Sequence, residues 1–211
     1  MGKARAPQKT RGWRHKRPMA DRSDEQLMLD FQKGDDNAVH TIFERYKSPI
    51  LNFSLRILGN RADAEDVTSD VFLSLFGRKY NFHPEAKFST WLYTVARNRS
   101  IDQLRKRKGM ISFWMKTQDG AESKEWEMED KNAFSQKDLE KKEAGEMVRK
   151  AIQQLPLEQK EAIVLREYQN LSYEQISQIL DCSLEKVKIL IFRGREQLRE
   201  TLSPFLKEGS I

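Results

Sequence analysis

Cysteine is nearly absent from this chain. Cys182 stands alone among 211 residues, which excludes an intramolecular disulfide and any multi-cysteine metal site and fits a reducing cytoplasm. Histidine is almost as scarce. His15, His40 and His83 lie far apart, without the short spacing that brings two imidazoles onto one metal. No apolar run approaches the roughly 20 residues that cross a bilayer, so no membrane insertion is expected. No secretory apolar core follows the N-terminus, and Ala6 stands where a myristoylation signal needs Ser or Thr. There is no glycine-rich phosphate loop and no nucleophile motif, so no catalytic residue, cofactor or metal is assigned. Apolar residues make up 38% of the chain, less than the roughly 45–50% (with glycine) of ordinary globular proteins. That supply suits small helical units with thin cores better than one large sandwich or barrel. No segment shows the two-residue alternation of a half-buried strand.

Charge is plentiful and unevenly placed. Lys and Arg number 38 against 32 acids, for a net +6. One basic block is residues 1–22, which has no apolar periodicity and is expected to be disordered. It reads either as an arm for nucleic acid or an acidic partner, or as a dispensable extension, with Met19 an alternative start. The second block is RNRSIDQLRKRK, residues 97–108. Residues 109–145 are acidic, carry scattered aromatics and keep no persistent period. They read as an interdomain linker, helical at most near its end.

Elsewhere the apolar spacing is helical. Leu27, Met28 and Phe31 mark a short first helix, broken at Gly34, with Asp36 as the expected cap of the next. That second helix covers about 37–58, with Pro49 expected to kink it and Gly59 to end it. Residues 62–78 form a third, acidic in its first turns at Asp63, Glu65, Asp66 and Asp70, as a helix N-terminus favours. A loop leads to a fourth helix over about 88–107. Residues 146–206 form a second helical domain, with Pro156 opening one helix and Ser172 and Gln175 forming a capping box. Asp181, Cys182 and Ser183 make a short turn, Ser183 capping a last helix that carries Lys186, Lys188, Arg193, Arg195 and Arg199. Two helices joined by three residues, the second cationic, form a helix-turn-helix pattern. An ordinary helical hairpin with a charged outer face has the same pattern.

Two separated blocks now stand in order. One is DAEDVTSDVFLSLF followed by FSTWLYTVARNRSIDQLRKRK. The other is LPLEQKEAIVLREYQNLSYEQISQILDC with IFRGREQL after it. Together they resemble bacterial RNA polymerase sigma factors of the extracytoplasmic-function (ECF) type, which keep only the second and fourth conserved regions of larger sigma factors. The resemblance implies an all-α fold of two small helical domains joined by a flexible linker, with region 2 at 23–108 and a region 4 helix-turn-helix at 146–206. It implies a cytoplasmic promoter-specificity subunit that is not an enzyme. Its partners would be core RNA polymerase, promoter DNA and an anti-sigma factor, and it would be monomeric when free.

The resemblance assigns roles by residue. Asp63, Glu65, Asp66, Val67, Asp70, Phe72 and Leu75 would form the polymerase-docking helix. Asn81, Lys87, Ser89, Thr90, Trp91, Arg97, Asn98, Asp102 and Arg105 would meet the −10 element. Tyr80, Phe82 and His83 would add stacking and polar groups, and Lys106, Arg107 and Lys108 charge. The chemistry suits strand capture, which needs stacking faces for unstacked bases and cations along the freed backbone. Trp91 could stack on a base, yet its spacing with Leu92 and Val95 equally places it in a core. Ser183, Glu185, Lys186, Lys188, Ile189, Phe192, Arg193 and Arg195 would meet the −35 element in the major groove. Positions 185–190 depart from the family pattern: Ile189 and Leu190 replace residues able to hydrogen-bond to DNA. A stand-alone helix-turn-helix regulator and a polymerase-binding decoy remain as alternatives. The first block, which a simple regulator does not need, separates them.

Overall fold

The computed structural model describes residues 21–77, 87–117 and 136–207. Every regular element among them is helical. α1 (Asp24–Gln32) starts where Ser23 Oγ accepts the Gln26 amide at 3.2 Å, which satisfies one of the orphan donors of a first turn. Gly34, at φ 97°, turns the chain into α2 (Asp36–Leu58). Its cap is Asp35, not Asp36: the Asp35 carboxylate accepts from the Asn37 amide, while Asp36 is already helical. α2 continues through Pro49 as one helix and ends at Gly59, left-handed at φ 71°. α3 (Arg61–Gly77) begins with Asn60 Oδ1 accepting from the Asp63 amide.

α4 (Phe88–Thr117) is longer than its apolar spacing suggested. Its 30 residues reach about 45 Å, passing Gly109 into the stretch read as linker. Its first turn is held by a distant residue, because Glu25 of α1 accepts the Phe88 amide at 3.1 Å. Helices α1–α4 close over Leu27, Met28, Ile42, Phe53, Ile57, Leu75, Phe88 and Leu92, all essentially inaccessible to water.

The second bundle is α5 (Gln136–Gln154), α6 (Leu157–Ile163) with a π-helical turn at Val164–Tyr168, α7 (Tyr173–Leu180) and α8 (Leu184–Lys207). α5 also begins inside the acidic stretch. The Ser172–Gln175 capping box starts α7. Asp181 ends it in a left-handed conformation, φ 52°, and Ser183 Oγ accepts the Lys186 amide to start α8. Gly194 sets how closely α8 crosses α6, since a Cβ there would lie 2.7 Å from Ile163 Cγ1. The two bundles share one continuous core, with α4 against α7 and α2 against α5 and the π turn.

Candidate polymerase and nucleic-acid interface

α3 has a buried and an open face. Ala64, Val67, Val71, Phe72 and Leu75 are buried, and Phe72 meets Phe43 of α2 edge-on at 4.8 Å. Val67, Phe72 and Leu75 therefore seat the helix and offer no side-chain surface to a partner. The acids divide as well. Asp63 accepts from Gln103 Nε2 of α4 at 2.8 Å, and Glu65 accepts from Arg61 at the same distance. Asp66 and Asp70 are exposed. Two turns beyond Asp66 stands Leu73, 67% exposed, and nearly a turn further Phe76, 54% exposed. Two exposed carboxylates, the open Leu73 and the half-exposed Phe76, whose ring also meets Phe31 of α1 edge-on at 5.6 Å, make an amphipathic strip suited to a protein surface. Leu73 was missed in the sequence reading. The signal was its phase, since it falls opposite the buried 64–67–71–75 series.

α4 carries the residues assigned to −10 contact, and its two ends differ. At the N-terminal end Lys87 is exposed, but Ser89 accepts from Gln175 of α7 at 3.4 Å. Thr90 is buried, its hydroxyl without a hydrogen-bond partner. Trp91 is half-buried, packed on the core and tilted against Phe88. Arg97 donates to Glu161 of α6 at 3.1 Å. Asn98, Asp102 and Arg105 are exposed, the last two 3.6 Å apart. Arg99 reaches Ser74 of α3, and Lys106, Arg107 and Lys108 are open to water. Asn81, with Tyr80, Phe82 and His83, lies outside the described residues, as does the basic block up to Ala20.

The cover over the N-terminal part of α4 is polar and specific. Glu161 is fully buried. One of its oxygens takes the Arg97 guanidinium and the other has no hydrogen-bond partner. Burial pushes its carboxyl above the usual range, against the opposing pull of Arg97. Tyr93 of α4 donates to Gln169 after the π turn, and Arg56 of α2 lies 3.9 Å over the Tyr168 ring. Gln153 of α5 donates to the Arg56 carbonyl at 2.7 Å and accepts from buried Lys160. Burial pushes the Lys160 amine down. Apart from Gln153 and Lys160, seven residues apart, these partners are distant in sequence, which is why residue spacing could not reveal them.

α8 places Val187, Leu190 and Ile191 inward and leaves Glu185, Lys186, Lys188, Ile189, Phe192, Arg193 and Arg195 open. Leu190 is thus core, and Ser183 is occupied as a cap. Lys186 pairs with Glu158 at 2.8 Å and Arg195 with Glu167 at 2.6 Å, both at the surface. Such pairs are weak and exchange readily for phosphate. Lys188 and Arg193 make no ion pair among the described residues.

Residues 42–109 match Sigma-70 region 2, and residues 145–198 match Sigma-70, region 4. Over 187 residues the chain is 32% identical to the RNA polymerase sigma-H factor of Pseudomonas aeruginosa, covering 88% of this chain and 97% of that protein. It is also 32% identical over 186 residues to the ECF RNA polymerase sigma factor SigW of Bacillus subtilis, covering 81% and 92%. The chain belongs to the ECF sigma factors. This sigma factor is a promoter-specificity subunit: it binds core RNA polymerase and promoter DNA and directs initiation at chosen promoters. Its fold is that of CnrH, solved with the cytosolic domain of CnrY (TM-score 0.63, 21% identity, 87% of this chain and 99% of that one). The Bartonella quintana sigma factor RpoE, solved with the anti-sigma factor NepR, shares it too (TM-score 0.62, 22% identity, 78% and 96%). The region 2 match spans most of α2, all of α3 and the first part of α4, a block that a stand-alone regulator does not require. Among the described residues no helix is long and apolar enough to cross a membrane, and no cluster of potential metal ligands occurs.

Proposed function

We propose that the three open surfaces divide the work of initiation. The Asp66, Asp70, Leu73 and Phe76 strip of α3 docks on polymerase. α4 engages the −10 element, its 105–108 run following the backbone of the separated strand while Ser89, Thr90, Asn98 and Arg97 approach bases. α8 enters the major groove at −35. The observation that carries this reading is the pairing, on one chain, of an amphipathic acidic strip with two cationic helices. No catalytic group is needed: strand opening draws on the binding free energy of captured bases and phosphates. The cytoplasm, where polymerase works, is the compartment. A partner that grips these surfaces would silence the chain, as the anti-sigma complex of the RpoE relative suggests.

The packed arrangement is not the one that reads a promoter. The two elements lie about 25 base pairs apart, roughly 85 Å along the duplex at 3.4 Å per pair. A compact chain of this length has a radius of gyration of roughly 17 Å and measures about 45 Å across. One compact body cannot span both elements, Ser89 and Arg97 are engaged by the second bundle, and Thr90 is buried. Polymerase binding must draw the bundles apart.

The test is co-elution of the purified chain with core polymerase, followed by run-off transcription on genomic fragments. New transcripts with defined start sites support the reading. Co-elution without transcripts favours a decoy, and absence of association overturns the docking assignment.

A further inference from the structure

From the exposed face of α8 we infer that this sigma factor reads its −35 element through an apolar contact, with Ile189 seated on the C5-methyl group of a thymine. The inference rests on the proposed placement of α8 in the major groove. Ile189 is 49% exposed and Phe192, one turn on, is 66% exposed. Val187, Leu190 and Ile191 already fill the seam against α6 and α7, so packing gives no reason for either side chain to face water. On a helix the neighbours of residue 189 are those three and four positions away, here Glu185, Lys186, Phe192 and Arg193. The apolar spot is therefore ringed by charge, with Lys188 and Arg193, exposed and in no ion pair among the described residues, placed to take phosphates. A polyanion that also offers a small apolar group to a helix is the major groove, and the only apolar group on its base edges is the thymine methyl. Glu185, one turn before Ile189 and exposed, can only accept hydrogen bonds, which in the groove means the cytosine amine. The ion pairs of Lys186 and Arg195 leave Ile189 and Phe192 as the exposed residues of the face that cannot act through charge, and Ile189 is the one whose neighbours one turn before are Glu185 and Lys186.

The experiment uses the full chain assembled with core polymerase and templates randomised through the −35 element, selected by transcription. The wild-type chain is expected to enrich a thymine at one position. Replacing that thymine by deoxyuridine, which removes only the methyl, should weaken open-complex formation roughly fourfold, the value of burying one methyl group. Ile189→Ala should abolish the thymine-over-uracil preference while other selected positions persist. Its melting temperature should be unchanged, because the side chain is half in water. Enrichment of a −35 sequence with no position sensitive to methyl removal would overturn the methyl contact and leave groove placement standing. Transcription with no −35 enrichment would overturn both. An equal thymine-over-uracil preference in Ile189→Ala would assign the contact to another side chain and refute the role of Ile189.

Discussion

At Gly194 two opposed effects meet, and their sizes decide the outcome. Alanine is favoured over glycine inside a helix by about 1 kcal/mol. The new methyl, however, would sit 2.7 Å from Ile163 Cγ1, a branch atom next to the backbone of α6, and over-packing typically costs 1–3 kcal/mol. Gly194→Ala is therefore expected to destabilise the second bundle by about 1 kcal/mol, read as a melting temperature lower by about 3 °C. A variant as stable as the wild type would show that α8 shifts freely on α6. Glu25 gives a second case. Its carboxylate closes the first turn of α4 from another helix. Burial raises its pKa, but the amides of Glu25 and Phe88 outweigh that and hold the carboxyl below the ordinary range. A depressed carboxylate stabilises at pH above its unfolded value, and the benefit fades as pH falls through the folded one. Glu25→Ala should lower stability by about 1 kcal/mol at neutral pH, the usual worth of a cap. The difference from wild type should vanish in acid denaturation below the carboxylate range.

At the scale of elements, α3 separates docking from folding. Asp66 and Leu73 are exposed, whereas Val67, Phe72 and Leu75 are buried. Asp66→Arg or Leu73→Asp should reduce affinity for core polymerase about tenfold or more, as reversal of an interfacial charge or burial of a new one does, with the melting temperature held. Normal co-elution of both variants would move the docking surface elsewhere. Phe72→Ala should instead unfold the bundle, at a cost of about 3–5 kcal/mol, and would say nothing about docking. α8 divides in the same way. The capping box, the Gly59 stop and the Ser183 cap were legible from residue order. The start of α2 was misread by one residue because two adjacent aspartates offer the same cap, and backbone geometry chooses between them. The extension of α4 past Gly109 was not legible, because that stretch keeps no apolar repeat of a packed helix, whereas the start of α5 at Gln136 falls at the end of the acidic stretch, where helix was expected.

For the whole molecule, the contact between the bundles is expected to respond to pH through Glu161, which pairs across it with Arg97. Burial raises its pKa, so the packed form binds a proton more readily than the separated form. Packing is then strongest below the ordinary carboxylate range and weakens as pH rises through the raised value. Lys160, shifted down by burial, titrates in the opposite sense, its contribution being lost as pH falls from the ordinary lysine range through its lowered value. Around Glu161 the charged neighbours are Arg97 of α4 and Glu158 of α6. Energy transfer between labels on Ser69→Cys and Glu200→Cys, in a Cys182→Ser background, should report a larger separated fraction at pH 7 than at pH 5. Glu161→Gln should flatten that profile. A pH response unchanged by Glu161→Gln would detach the buried pair from this equilibrium.

The order of residues by itself determined the helical class, the two-block organisation, the caps and turns, and the segments that carry cationic charge. Each of these depends on interactions within a few residues of the chain. It also carried the family, because each of the two motif blocks is a local stretch of the chain. Which assigned residues face a partner was decided only in three dimensions. Asp63 is taken by Gln103, Ser89 by Gln175 and Arg97 by Glu161, pairs separated by 40 to 86 positions. Periodicity places a side chain on a face of its own helix. Only the packing of one helix against another says whether that face meets water, a neighbour or a free surface.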